Sequence, residues 1–224
     1  MLDLNEEKKF AELKKMCQEL KVPTPPEIFI RIQVHDKKGD LVFDNKERGH
    51  SWTRNFWTTM VEAVLFTGAG TVKDGSGGFG AGYLTAKYID GTYVTAGAIL
   101  YGPYQYVSGG AATTNGIYIG TDDMAFSGLQ YDLVAPIANG SGAGQFNYLA
   151  NSAVTKSYSS NIWKFTMSRI MNNNSGESIT VKEVGLLANT LQERSVLSPT
   201  VAVANGAQLT VTYEISMDFS AIDS

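Results

Sequence analysis

Leu209-Thr210-Val211-Thr212-Tyr213-Glu214-Ile215-Ser216-Met217-Asp218-Phe219 alternates strictly between apolar and polar residues. Leu209, Val211, Tyr213, Ile215, Met217 and Phe219 point one way, and Thr210, Thr212, Glu214, Ser216 and Asp218 the other. Period two is the mark of a strand with one buried face. Just before it, Val201-Ala202-Val203 reads as another strand, and Asn205-Gly206 between them is a strong hairpin signal.

Moving outward, Ile179–Leu187 and Ile162–Ile170 are further strands, joined by the turn Asn172-Asn173-Asn174-Ser175-Gly176. Trp163, Phe165 and Met167 share one face of the earlier strand. Ile117-Tyr118-Ile119 is a short strand, and Asn139–Gly144 marks a loop. Near the other end, Ile28, Ile30, Ile32 and Val34 alternate with Phe29, Arg31, Gln33 and His35. Lys38-Gly39-Asp40 turns the chain into Leu41-Val42-Phe43, which predicts a β-hairpin. Many short strands separated by turns imply a mainly β fold, an antiparallel β-sandwich of jelly-roll or Ig-like kind.

Two helices are expected beside the strands. Residues 3–21 suit an amphipathic helix, with Asp3 and Glu6 as a capping box and Phe10, Leu13, Met16, Cys17 and Leu20 as a stripe. Pro23, Pro25 and Pro26 end it in a stiff link. A stripe this narrow needs a partner, either the helix's own domain or, slightly favoured, another subunit. Ser51 is placed to cap a second helix over about 51–66, with Trp52, Phe56, Trp57, Met60, Val61, Val64 and Leu65 as a broad apolar face for the sheet. The domain plan is thus a helical arm and link at 1–27, then one sandwich at 28–224 with a Gly/Tyr-rich insertion at about 67–116. Short strands are expected within and beside that insertion at Tyr83–Ile89, Tyr93–Leu100 and Tyr104–Val107.

Composition narrows the function classes. Of 224 residues 43% are hydrophobic, enough for a core, while only 18% are charged, below the usual share of about a quarter. Such a surface suits burial against neighbours. A net charge of -4 with no basic block leaves no footprint for nucleic acid or for a membrane surface. Cys17 is the sole cysteine, so no internal disulfide or cysteine metal site is expected. No apolar leader or spanning segment is read from the sequence.

Motifs for chemistry are weak. Gly75-Ser76-Gly77-Gly78-Phe79-Gly80 fits a dinucleotide pattern but has neither the preceding strand nor the following helix, so a loop is the simpler reading. His35 and His50 are the only histidines, and a triad written with Ser51 and Asp44 lacks a nucleophile elbow. Asp122 and Asp123 lack a calcium-loop spacing and suit a turn. No enzyme, cofactor or metal is expected. Tyrosine is frequent, mostly between 83 and 148; these rings are either half-buried strand residues or an adaptable contact surface.

Several stretches resemble a group of virion proteins of tailed bacteriophages. They are His50-Ser51-Trp52-Thr53-Arg54-Asn55-Phe56, Gly116–Asp123, Gly140–Tyr148, NNNSGESITVKEVGLLA ending at Ala188, and VAVANGAQLTVTYEIS ending at Ser216. The likeness covers about 28–219. It implies a capsid- or tail-associated sandwich subunit of the virion, made in the host cytoplasm. Its partners would be copies of itself and other virion proteins, and no catalytic residue is implied. The alternative is a receptor- or carbohydrate-binding module of a tail fibre or adhesin, with a host-surface glycan as partner. The expected contact residues are Phe10, Leu13, Met16, Leu20, Trp52, Trp57, Tyr101, Tyr104 and Tyr106.

Overall fold

Leu209, Val211, Tyr213 and Ile215 lie at 0–2% exposure in the middle of a six-stranded sheet. The structure is a computed structural model that describes residues 4–49, 51–58, 85–95 and 109–221. In chain order the elements are α1 (Leu4–Leu20), β1 (Glu27–His35), β2 (Leu41–Arg48), β3 (Ser51–Trp52), β4 (Thr85–Lys87) and β5 (Tyr93–Thr95). They continue with β6 (Asn115–Gly120), β7 (Asn147–Asn151), β8 (Thr155–Ser159), β9 (Ile162–Asn172), β10 (Ile179–Ala188), β11 (Leu191–Val203) and β12 (Gln208–Asp218).

The chain folds as a mainly β, antiparallel sandwich. One sheet runs β2-β1-β12-β9-β7, with β8 also paired to β9; the other runs β3-β11-β10-β6; β4 and β5 form a separate ribbon. Tyr213 pairs with Ile30 on one side and Met167 on the other, so the apolar faces of β1, β12 and β9 coincide. They close on Val181, Val184, Leu186, Val201 and Val203 of the facing sheet in one core. Period-two alternation forces this arrangement, because a one-residue slip would turn every apolar side chain outward.

The Asn205-Gly206 turn departs from the expected hairpin. β11 and β12 belong to different sheets, so this turn arches from one layer to the other. The β9–β10 turn does the same beside it. Asn173 locks the two arches. Its Nδ2 donates to the Val203 and Glu177 carbonyls at 2.7 and 2.8 Å, and its own carbonyl accepts from Gly206 N at 2.6 Å. The turn forms where Asn205-Gly206 stands, but it joins two layers and not two paired strands, and the buried Asn173 holds it there.

Ser51 does not cap a helix. Ser51 and Trp52 pair with Arg194 and Glu193 as β3, and the helical segment begins at residue 54. Thr53 takes the capping role, accepting Phe56 N on Oγ1 at 3.4 Å while donating to the Leu191 carbonyl at 2.6 Å. Trp52 stacks on Phe56 with ring centroids 3.7 Å apart and both are buried as expected, but Trp57, expected on the same buried face, is 45% exposed because it follows Phe56 on the turned-away side of the helical segment. The part of the expected 51–66 helix after residue 58 lies outside the described residues, as do the Asp3 cap, the strand expected at Tyr104–Val107 and the loop expected at 75–80. β11 is also longer than the expected 201–203, because its first half is polar yet buried.

Candidate functional site

The polar run Gln192-Glu193-Arg194-Ser195 is completely buried in β11. Alternation sends its members to opposite sides. Glu193 faces the core, where Tyr213 donates its hydroxyl to Oε2 at 2.6 Å and Ser195 donates to Oε1. Burial pushes the Glu193 carboxyl up to about 7, against those two hydrogen bonds. Arg194 faces the other way. Its Nε donates to Glu183 Oε2 at 2.6 Å in an ion pair with no solvent exposure.

This pair holds the loop between β6 and β7 against the outer side of the four-stranded sheet. Glu183 accepts the backbone N–H groups of Ala135 and Val134 at 2.9 and 3.2 Å. Arg194 Nη1 donates to the Met124 carbonyl at 2.9 Å and to Gln130 Oε1 at 3.3 Å. The loop therefore presents Leu129, Gln130 and Tyr131 as a fixed wall. Arg54 N donates to the Gly128 carbonyl at 2.7 Å, bringing the helical segment alongside. Asn55 exchanges two hydrogen bonds with the backbone of Lys87, at 2.9 and 3.0 Å, which docks the β4–β5 ribbon.

The result is a cleft of about 260 Å³ lined by Arg54, Asn55, Lys87, Tyr93, Leu129, Gln130 and Tyr131. Lys87 Nζ sits 3.9 Å over the Tyr131 ring and 5.6 Å from that of Tyr93. Tyr93 is 72% exposed and Leu129 72%. Neither Arg54 nor Lys87 meets a carboxylate among the described residues, and Gln130 Nε2 is buried there without an acceptor. An adjoining groove of about 500 Å³ shares Leu129, Gln130 and Tyr131 and contains Asp132, whose carboxyl burial raises to about 6.

A second groove, of about 550 Å³, lies on the outer face of the six-stranded sheet between Phe29, Arg31, Asp44, Lys46, Thr166, Thr212 and Glu214. Its charges are matched internally. Arg31 Nε donates to Asp44 at 2.8 Å, and Lys46 and Lys164 both reach Glu214. Asp44 is thereby committed to Arg31, which leaves the Ser51–His50–Asp44 constellation without its acid; His50 itself lies outside the described residues.

α1 lies against β1 and β2. Glu27 pairs with Lys14 and Arg48, each at 2.7 Å, and the Arg48 guanidinium is held between the Phe10 ring at 4.2 Å and the Phe29 ring at 4.8 Å. Cys17 is buried there. The helix thus docks on its own domain, contrary to the slight preference for an outside partner. The docking uses only one shoulder of the stripe: Leu13, Met16 and Leu20 remain 37%, 55% and 68% exposed, followed by Val22 at 41%. Of the other expected contact residues, Trp52 belongs to the core and gives its indole N–H to the Pro26 carbonyl at 3.0 Å, while Trp57 is exposed. Tyr101, Tyr104 and Tyr106 lie outside the described residues.

Asp122 accepts the Met124 N–H at 2.6 Å and Asp123 pairs with Lys182 at 3.1 Å, the arrangement of a turn. Among the described residues no cluster of three or more metal-ligating side chains occurs, and no helix is long and apolar enough to cross a membrane. Sequence reading missed Glu183, Glu193, Arg194 and the Arg54–Lys87–Gln130 grouping. The one available signal was a charged run flanked by Leu191, Val196 and Leu197. No protein-family model, curated protein or solved structure matches the chain.

Proposed function

We propose that this chain is a structural subunit of a tailed-phage virion, a head decoration or minor capsid protein or a tail component, acting by assembly with copies of itself and other virion proteins and not by catalysis. The observation that carries this reading is the half-used helix. α1 is fastened by Phe10, Lys14 and Cys17, yet it turns Leu13, Met16 and Leu20 to solvent in a row. An apolar row on a rigidly held helix is suited to covering by a neighbour, and such burial is a main driving force of association. The resemblance of residues 28–219 to phage virion proteins supplies the setting. The two-layer core supplies the stiffness that a particle component requires.

Immunogold labelling of purified particles tests the reading. Antibody against this chain should decorate intact virions at regular positions on the head or tail. Label confined to the particle-free fraction of the lysate would overturn it.

A further inference from the structure

We propose that the cleft between Arg54, the β4–β5 ribbon and the 129–131 segment binds a carboxylated saccharide, a site that does not depend on the assembly reading. Two observations converge there. Arg54 and Lys87 bring two positive charges to a cleft with no carboxylate among its described lining residues, whereas the outer-sheet groove neutralises its own charges. A guanidinium fork matches a carboxylate in a bidentate fashion, and an ammonium adds a second donor. Gln130 is fixed in the wall beside them, its Oε1 accepting from Ser127 N at 3.0 Å and from Arg194 Nη1 at 3.3 Å.

The aromatic rings supply the other half of the specificity. Tyr93 and Tyr131 flank Lys87, and Tyr93 is mostly exposed. Such a ring covers the apolar C–H face of a sugar at low entropic cost while its hydroxyl stays wet. A ligand that fits both halves carries a flat apolar face, several hydroxyls and one acid group, which describes a uronic or sialic acid residue within a glycan. The walls are preformed, because the Glu183–Arg194 pair and the Asn55–Lys87 hydrogen bonds fix them before any ligand arrives. Preorganisation of this kind lowers the ordering cost of binding.

Titration calorimetry on the full chain tests this, using trigalacturonate, a hyaluronan hexasaccharide and a sialic acid trimer, with maltotriose and sodium acetate as controls. At least one acidic oligosaccharide should bind saturably, about tenfold or more tighter than both controls. Arg54→Gln and Tyr93→Ala, both at exposed positions, should each weaken that binding about tenfold with unchanged circular dichroism and melting temperature. Lack of saturable binding to all three acidic probes would overturn the proposal. Acetate binding as tight as the oligosaccharides would reduce the cleft to a plain anion site and overturn it as well. Affinity unchanged in Arg54→Gln would place the binding elsewhere.

Discussion

Arg194 Nε meets Glu183 Oε2 at 2.6 Å with both side chains wholly buried, and this contact joins the sandwich to the loop that walls its cleft. Both charges have further partners, although Arg194 Nη2 is buried without one among the described residues. Glu183 also receives two backbone N–H groups, and Arg194 also reaches the Met124 carbonyl and the Gln130 amide. Such a pair is kept for position more than for net stability, since desolvation offsets much of its attraction.

Removing one member therefore costs more than removing both. Arg194→Met leaves the Glu183 carboxylate buried without its cation and should destabilise the fold by about 3–5 kcal/mol in urea denaturation. Glu183→Gln combined with Arg194→Met should recover part of that loss, because Gln can still accept the Ala135 N–H. A double variant less stable than Arg194→Met alone would show that the pair itself is strongly stabilising.

Gly120 approaches the same carboxylate. A Cβ added there would also come within 2.7 Å of the Ala135 carbonyl oxygen. Gly120→Ala should cost about 1–3 kcal/mol through overpacking, and amide hydrogen exchange in 121–136 should accelerate before the rest of the sandwich.

Glu193 predicts the pH dependence. Its folded carboxyl is raised to about 7 from an ordinary 4.5 by burial, so the folded state holds a proton that the unfolded chain releases. Its contribution is therefore complete below the ordinary value and is lost as pH rises through about 7. Asp132, raised to about 6, acts in the same direction. The lowered carboxyls of Asp44, Asp90, Asp123 and Asp218 act in the opposite sense and below this window. Thermal melts should show stability increasing from about pH 8 to about pH 5. Glu193→Gln should flatten the profile, with a gain on the order of 2 kcal/mol at the alkaline end and little change at the acid end. An identical slope in wild type and variant would remove Glu193 as the cause.

Arg169 ties the layers together at the other end. Its three nitrogens Nε, Nη1 and Nη2 donate to the Leu149, Ile117 and Ala112 carbonyls at 2.8, 2.9 and 2.7 Å, and its guanidinium lies 4.7 Å from the Tyr148 ring. Arg169→Met should cost about 3 kcal/mol, because the buried Ile117 carbonyl and two part-buried carbonyls lose their partner. Chemical denaturation checks the magnitude, and early exchange of β6 and β7 amides checks the location.

What was legible in the sequence follows from one-sided burial. β1, β12 and the inner face of β9 were readable because each alternates apolar against polar residues. β11 was not, because Gln192 to Ser195 are polar and buried on both sides, their partners coming from Tyr213, Glu183 and the 121–136 loop. The layer change at Asn205-Gly206 depends on Asn173, over thirty residues earlier, which no local turn rule contains. The cleft was invisible for the same reason: Arg54, Lys87 and Gln130 carry no shared motif, and only the docking of three separate segments brings them together. The helix stripe was legible, but which part of it the domain would cover depended on Arg48, Phe29 and Glu27.

The central claim is assembly through the uncovered side of α1, and sedimentation velocity measures it most directly. The full chain should sediment as a discrete oligomer whose population grows with concentration. The combined variant Leu13→Ser, Met16→Ser and Leu20→Ser should sediment as a folded monomer with an unchanged circular dichroism spectrum, since all three side chains are exposed within the subunit. A wild-type chain that stays monomeric at every concentration, or a triple variant that assembles as the wild type does, would contradict the account.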